Sequence, residues 1–320
     1  MSRASRKKSR EGYDLFGYDP AFDEKTASFM QQLTSRWLEV RALGMDTLPS
    51  DGRCILVSNH GGALPWDALV LREVLRQNGR ILRPLLEDTV MTAPFLGSTM
   101  SRMGCVRASQ ENATRLLDDE EAIAVFPEGK LGLGKRFFHR GKLMRFGRGG
   151  FIRLALKAKA PLIPVAIVGA EHSAPLLSKW KLLIRETGMD YLPITPTFPF
   201  LGPLGLLPLP ARWTLQVLPA IDPRKEVDDE NDAMGISRLA ARIRTELQDA
   251  VQEIQEARPP SPLARAKRLL PGRRKSKRDP ELPEPELPES ELLESELPEP
   301  ELLEPELRGS ASKSKGARHE

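Results

Sequence analysis

The sequence predicts an α/β fold: a single domain with a mostly parallel sheet flanked by helices, followed by a disordered C-terminal tail. Three observations carry this. Short apolar runs alternate with helical stretches from about residue 20 to residue 257, the pattern of strand–helix–strand units. The run Leu162–Val168 reads as a buried strand in such a sheet. Beyond Pro259-Pro260 there is no Phe, Trp or Tyr, so nothing there can build a core.

Taken in order, residues 1–12 form a basic arm expected to be disordered. Phe22, Phe29, Leu33, Trp37 and Val40 share one face at helical spacing, which predicts an amphipathic helix over 21–40. Strands are expected at Cys54–Ser58, Ile81–Leu86, Ala122–Phe126, Leu162–Val168 and Trp213–Pro219. Helices are expected at Ala68–Arg76 (after Pro65), Ala113–Glu121 and Phe151–Lys159. A last helix, about 226–257, gathers Ile236, Leu239, Ile243, Leu247, Val251 and Ile254 on one side. The folded domain is thus expected over 13–258 and the tail over 259–320.

The net charge of +4 misdescribes this body. Among the charged residues of 1–10 and of 265–278 all are basic, whereas 279–320 is strongly acidic, and the acidic and basic residues of 11–264 balance. Residues 283–307 are five copies of a Pro/Leu/Glu pentapeptide, a period that fits neither helix nor strand. Two cysteines, Cys54 and Cys105, exclude a disulfide-stapled scaffold and a Cys-only zinc site. Four histidines leave little for a His-built metal site, so no metal is expected. The uncharged run Tyr191–Ala211 contains six prolines and is no membrane-spanning helix. Its Phe198, Phe200, Leu201, Leu204, Leu206, Leu207 and Leu209 leave two readings open: a loop that dips into a membrane interface, or one packed on the core. The basic arm lacks a following apolar region, which argues against a secretory signal.

Two blocks carry most of the chemistry. In Ser58-Asn59-His60-Gly61-Gly62-Ala63-Leu64-Pro65-Trp66-Asp67, an apolar strand delivers His60 to the carboxyl edge of the sheet, where open α/β sheets hold ligands. Pro65 then starts a helix carrying Asp67 in its first turn. A His facing a carboxylate across a short loop is a general-base pair; a capping His beside an Asp at a helix start is the structural alternative. In Ala124-Val125-Phe126-Pro127-Glu128-Gly129-Lys130, a strand again runs into a polar turn. Ten Lys or Arg and no acid follow between 130 and 159, Lys135 among them, a patch suited to phosphate esters or an anionic membrane. Gly104-Cys105-Val106-Arg107 delivers an Arg from a short strand, and Glu171-His172 follow the strand after Pro161 as a polar pair. The spacing Gly129…Gly134-Lys135 mimics a phosphate-binding P-loop, but Arg136 stands where the Mg²⁺-binding Ser or Thr belongs, which argues against a nucleotide site.

Taken in this order, the blocks Asn59-His60…Asp67, Gly104…Arg107, Phe126-Pro127-Glu128-Gly129-Lys130 and Ile163-Pro164-Val165 resemble those of the glycerolipid acyltransferase family, best known for the 1-acylglycerol-3-phosphate acyltransferases. The resemblance covers about residues 30–225. It departs from the pattern twice: six residues separate His60 from Asp67 where four are usual, and Lys130 replaces a Thr-Arg continuation. The resemblance implies that fold, with His60 as the base on an acceptor hydroxyl and Asp67 as its orienting partner. It further implies that Arg107, Glu128, Gly129 and Lys130 hold a phosphorylated glycerolipid acceptor; Lys135 joins them on charge and position. It implies an acyl thioester donor, on coenzyme A or acyl carrier protein, as a substrate and no bound cofactor. The expected setting is peripheral, at the cytoplasmic face of an anionic membrane, with no nucleic-acid partner. A non-catalytic lipid-binding or scaffold protein on the same fold is the alternative.

Overall fold

The computed structural model describes residues 13–258 apart from 94–95, 134, 136, 138–139 and 181–191. The basic arm, the tail from 259, Arg136 and the side chain of Lys130 lie outside the described residues. Nine strands are described: β1 (Arg41–Leu43), β2 (Cys54–Ser58), β3 (Leu82–Leu86), β4 (Val106–Arg107), β5 (Ala122–Val125), β6 (Leu162–Val168), β7 (Ser178–Trp180), β8 (Leu192–Ile194) and β9 (Thr214–Val217). The helices are α1 (Pro20–Gln32), α2 (Trp66–Gln77), α3 (Asp88–Met91), α4 (Leu96–Arg102), α5 (Gln110–Asp118), α6 (Gly129–Leu133), α7 (Gly150–Ala158), α8 (Ala170–Ser173) and α9 (Ala233–Ala257).

Seven strands form one sheet in the order β1-β9-β6-β2-β5-β3-β4. From β6 to β4 every neighbour is parallel, and only β6–β9 is antiparallel. Central β2 and β6 are buried along their whole length, so both faces of the sheet are covered and the strands read as nearly continuous apolar runs. Successive side chains alternate between the two layers. Ile55 and Val57 pack with Leu116, Ile152 and Leu247 from α5, α7 and α9. Cys54 and Leu56 pack with Met30, Leu71 and Leu75 from α1 and α2. Each fully buried Leu or Ile stabilises the fold by about 1.5–3 kcal/mol.

Helix starts follow their caps. Asp19 accepts hydrogen bonds from the N–H groups of Ala21 and Phe22, and Pro20 opens α1 where its missing N–H costs nothing. The amphipathic stretch expected over 21–40 is α1 followed by a π-helical turn, Leu33–Trp37, closed by the Leu38 N–H on the Leu33 carbonyl. The last helix starts at Ala233, seven residues later than its apolar spacing suggests. Asp222 caps only a 3₁₀ turn, Pro223–Lys225, whereas Asp232 accepts from the Gly235 N–H and starts α9. Strand β1 and the antiparallel β7–β8 hairpin were not expected; each is three residues long, and their pairing partners lie far off or across a long connection. Among the described residues no helix is long and apolar enough to cross a membrane.

Candidate active site

The site grows from the carboxyl end of β2. Ser58 donates its hydroxyl to the Val165 carbonyl at 2.8 Å. The side chain of Asn59 then takes over the role of the strand backbone toward β6. Its Nδ2 donates to the Ile167 carbonyl at 2.9 Å, and its Oδ1 accepts from the Ile167 N–H at 2.8 Å. The chain is thereby fixed one residue before His60.

His60 is 5% exposed and Asp67, the second residue of α2, is fully buried. His60 Nδ1 lies 2.7 Å from Asp67 Oδ2. That oxygen also accepts the Gly61 N–H at 3.1 Å, and the other carboxylate oxygen accepts the Ala68 N–H at 2.8 Å. A negative group in a helix's first turn is further favoured by the helix dipole. A carboxylate facing Nδ1 holds the ring proton there and leaves Nε2 to accept one. The intervening loop needs its glycines. Gly62 has φ +84°, and a Cβ on Gly61 would come within 2.9 Å of the Ala170 Cβ in α8.

Glu128, 1% exposed, stands on the other side of His60. One of its oxygens accepts the His60 N–H at 2.9 Å and the other the Met144 N–H at 2.6 Å. Lys135 Nζ donates to both oxygens, at 3.1 and 2.9 Å, and to the Lys142 carbonyl at 3.2 Å. Glu128 therefore holds the backbone of the histidine and neutralises a largely buried lysine. The Phe126 ring stacks on the His60 ring at 4.2 Å with 12° between planes. Gly132 of α6 presses on the same group: a Cβ there would meet the Cβ atoms of both His60 and Glu128 at 2.7 Å.

A cavity of about 20 Å³ borders Asn59, His60, Gly61, Lys135, Arg140 and Glu171. It has room for a single water molecule. Burial pushes the Glu171 carboxyl up, but the hydrogen bond and charge of His172 outweigh it and bring the group below its usual value. His172 Nδ1 lies 3.3 Å from Glu171 Oε1. Among the described residues no cluster of His, Cys, Asp and Glu could hold a metal ion. Burial pushes the Cys54 thiol up to about 11 and the Cys105 thiol up to about 12, which leaves neither as a nucleophile.

The structure thus brings together His60, Asp67, Glu128 and Lys135. Gly129, at φ +52°, opens α6 directly behind Glu128, and Lys130 follows it in the same short helix. Arg107 is not brought to this cluster. It ends edge strand β4, three strands from β2, where it is exposed and ion-paired with Asp88. Gly132 is a site residue that sequence reasoning missed, its only signal a glycine one helical turn after the Glu128–Gly129 corner. Asn59 was read as part of the Asn59-His60 block, without the role its amide plays toward Ile167.

Residues 39–168, which run from β1 through β6, match the family model described as Acyltransferase. An uncharacterised protein of Mycobacterium tuberculosis is 38% identical over 250 residues, covering 77% of this chain and 70% of that protein. One from Mycobacterium leprae is 39% identical over 250 residues, covering 77% and 68%. The chain belongs to the acyltransferase family. The matched region of this family member contains His60, Asp67, Arg107, Glu128, Gly129, Lys130 and Lys135. Among solved structures, the 1-acyl-sn-glycerophosphate acyltransferase PlsC of Thermotoga maritima is similar with a TM-score of 0.47 and 19% identity, over 74% of this chain and 81% of that one.

Proposed function

We propose that the protein transfers a fatty acyl group from an acyl thioester, on coenzyme A or acyl carrier protein, to a hydroxyl of a lysophospholipid or glycerol phosphate. The reading rests on one observation, the buried 2.7 Å His60–Asp67 pair at the carboxyl edge of a parallel sheet. His60 Nε2 takes the proton of the acceptor hydroxyl while Asp67 stabilises the resulting imidazolium. The acceptor oxygen attacks the thioester carbonyl. The tetrahedral intermediate collapses, the C–S bond breaks, and the leaving thiolate takes the proton back from His60. No acyl-enzyme is formed.

The cations near the site fit a phosphorylated acceptor. Arg140 borders the cavity and has no carboxylate partner among the described residues, and Lys142 and Arg145 are exposed close by in the chain. The acceptor is a lipid or its precursor, so the reaction belongs to phospholipid synthesis or remodelling at the cytoplasmic face of an anionic membrane. The test is acyl transfer from labelled acyl-CoA to a panel of phosphorylated glycerolipid acceptors, read by mass spectrometry. Ester product is expected with at least one acceptor, and His60→Ala should lower turnover by roughly 10²–10⁴ with the fold intact. A wild-type rate in that variant overturns the mechanism.

A further inference from the structure

The loop from Thr195 to Leu209 is a small apolar prominence in which many backbone groups and both threonine hydroxyls are hydrogen-bonded. The Thr195 hydroxyl accepts the Phe198 N–H, and the Leu201 N–H bonds to the Thr197 carbonyl. The Gly202 N–H bonds to the Pro199 carbonyl, and the Thr197 hydroxyl donates to the Gly205 carbonyl. The body holds the loop at three further points. Trp37 Nε1 donates to the Pro208 carbonyl at 2.7 Å, Trp66 Nε1 to the Leu206 carbonyl at 2.9 Å, and the Leu209 N–H to the Ser173 carbonyl at 2.7 Å. The large side chains that face outward are hydrocarbon. Phe200 is 79% exposed and Leu204 70%, with Leu201 and Leu207 exposed beside them.

We infer that this loop inserts into the boundary between headgroups and acyl chains of an anionic bilayer and seats the active-site edge of the sheet on the membrane. The inference deepens the proposed function and rests on its reading of the acceptor as a lipid. Four features favour a bilayer over a protein partner. The stretch 191–211 carries no charge, and the paired backbone groups of the loop can leave water at little cost. Trp37 is half exposed with its N–H bonded, the arrangement that suits an indole at a membrane interface. Arg36, next to Trp37, and Arg41 are exposed without carboxylate partners among the described residues, as an anionic surface requires. Finally, four apolar side chains within eight residues are far fewer than the roughly 20–30 residues a side of a stable protein interface. The position also fits: Trp66, which holds the loop, directly precedes Asp67.

The experiment is co-sedimentation of the full chain with vesicles of phosphatidylglycerol and phosphatidylcholine, against vesicles of phosphatidylcholine alone. Wild type should bind the anionic vesicles. Phe200→Ser with Leu204→Ser should weaken the partition coefficient by roughly tenfold per side chain, at low and at high salt. Arg36→Gln with Arg41→Gln should weaken it only at low salt. Both pairs are exposed, and unchanged thermal melting confirms that the variants fold. His60→Ala should bind vesicles as wild type does, so loss of transfer with intact vesicle binding strikes the catalytic reading and leaves this one standing. Equal vesicle binding by wild type and the Phe200/Leu204 variant, or no binding by wild type, overturns the inference. So does a Phe200/Leu204 variant that loses only self-association on gel filtration, which would assign the loop to a second copy of the chain.

Discussion

Replacing Glu128 with Ala tests how the site is held. The carboxylate is 1% exposed, pairs with a lysine whose side chain is also largely buried, and accepts the N–H groups of His60 and Met144. Removing one partner of a buried ion pair costs about 3–5 kcal/mol, because the other charge is left uncompensated. Each orphaned buried N–H adds about 1–3 kcal/mol, though such losses on one group do not sum. A total near 4–6 kcal/mol is a large share of a typical domain stability of about 5–15 kcal/mol. Urea denaturation of Glu128→Ala, Lys135→Met and the combination Glu128→Ala with Lys135→Met separates the contributions. The combined variant removes both charges and should recover about half of the loss. It should still turn over roughly 10²-fold more slowly, since His60 has lost its backbone anchor and a displacement of about 1 Å has that effect. A cost below about 1 kcal/mol for Glu128→Ala, or strict additivity in the cycle, would show that the pair is solvated and refute the reasoning.

Gly132→Ala should destabilise by about 1–3 kcal/mol and slow turnover, because its Cβ would meet rigid Cβ atoms of His60 and Glu128 at 2.7 Å rather than a flexible side-chain end; native melting and a native rate would mean that α6 does not seat there. Cys54 and Cys105, raised by burial to about 11 and about 12, should resist alkylation at pH 8 in the native protein and react together on unfolding. A thiol that reacts rapidly in the folded state contradicts that placement. Stability should fall on acidification. Hydrogen bonds from Arg102, Arg53 and Arg224 hold the carboxyls of Asp19, Glu120 and Asp222 below their ordinary values. These groups bind protons more readily unfolded than folded, so their contribution is complete above about pH 5 and is lost as pH falls through and below about pH 4. Melting temperatures measured from pH 6 to pH 3 should decline, and a rise on acidification would contradict the pairings.

What could be read from the sequence is what burial alone decides. β2 and β6 fell on their predicted bounds because a central parallel strand is apolar almost throughout, with Gly, Pro or polar residues at its ends. His60, Asp67 and Glu128 were legible because each follows a strand or opens a helix, so the topology itself sends them to one edge. Contacts made by single atoms across long separations were not legible. Nothing local links Asn59 to Ile167, Lys135 to Glu128 beyond opposite charge, or Arg107 to Asp88. The start of α9 was misplaced because apolar spacing alone put it near 226, whereas the cap that opens the helix is Asp232.

The six-residue gap between His60 and Asp67 shows how such a pair is set by anchors rather than by residue count. Gly61 is tied back to Asp67 through its N–H, and the Ala63 N–H bonds to the Ala174 carbonyl just beyond α8 at 2.8 Å. The loop's far end is fixed where Pro65 precedes α2 and Trp66 Nε1 reaches the Leu206 carbonyl. A longer loop pinned at three points costs little more closure entropy than a shorter one, since that cost grows only logarithmically with length. The extra residues then carry contacts of their own. They press Gly61 and Gly62 against α8, and through Trp66 they connect the residue beside Asp67 to the apolar loop. The same stretch that positions the carboxylate against the imidazole thereby also tethers the loop that carries Phe200 and Leu204.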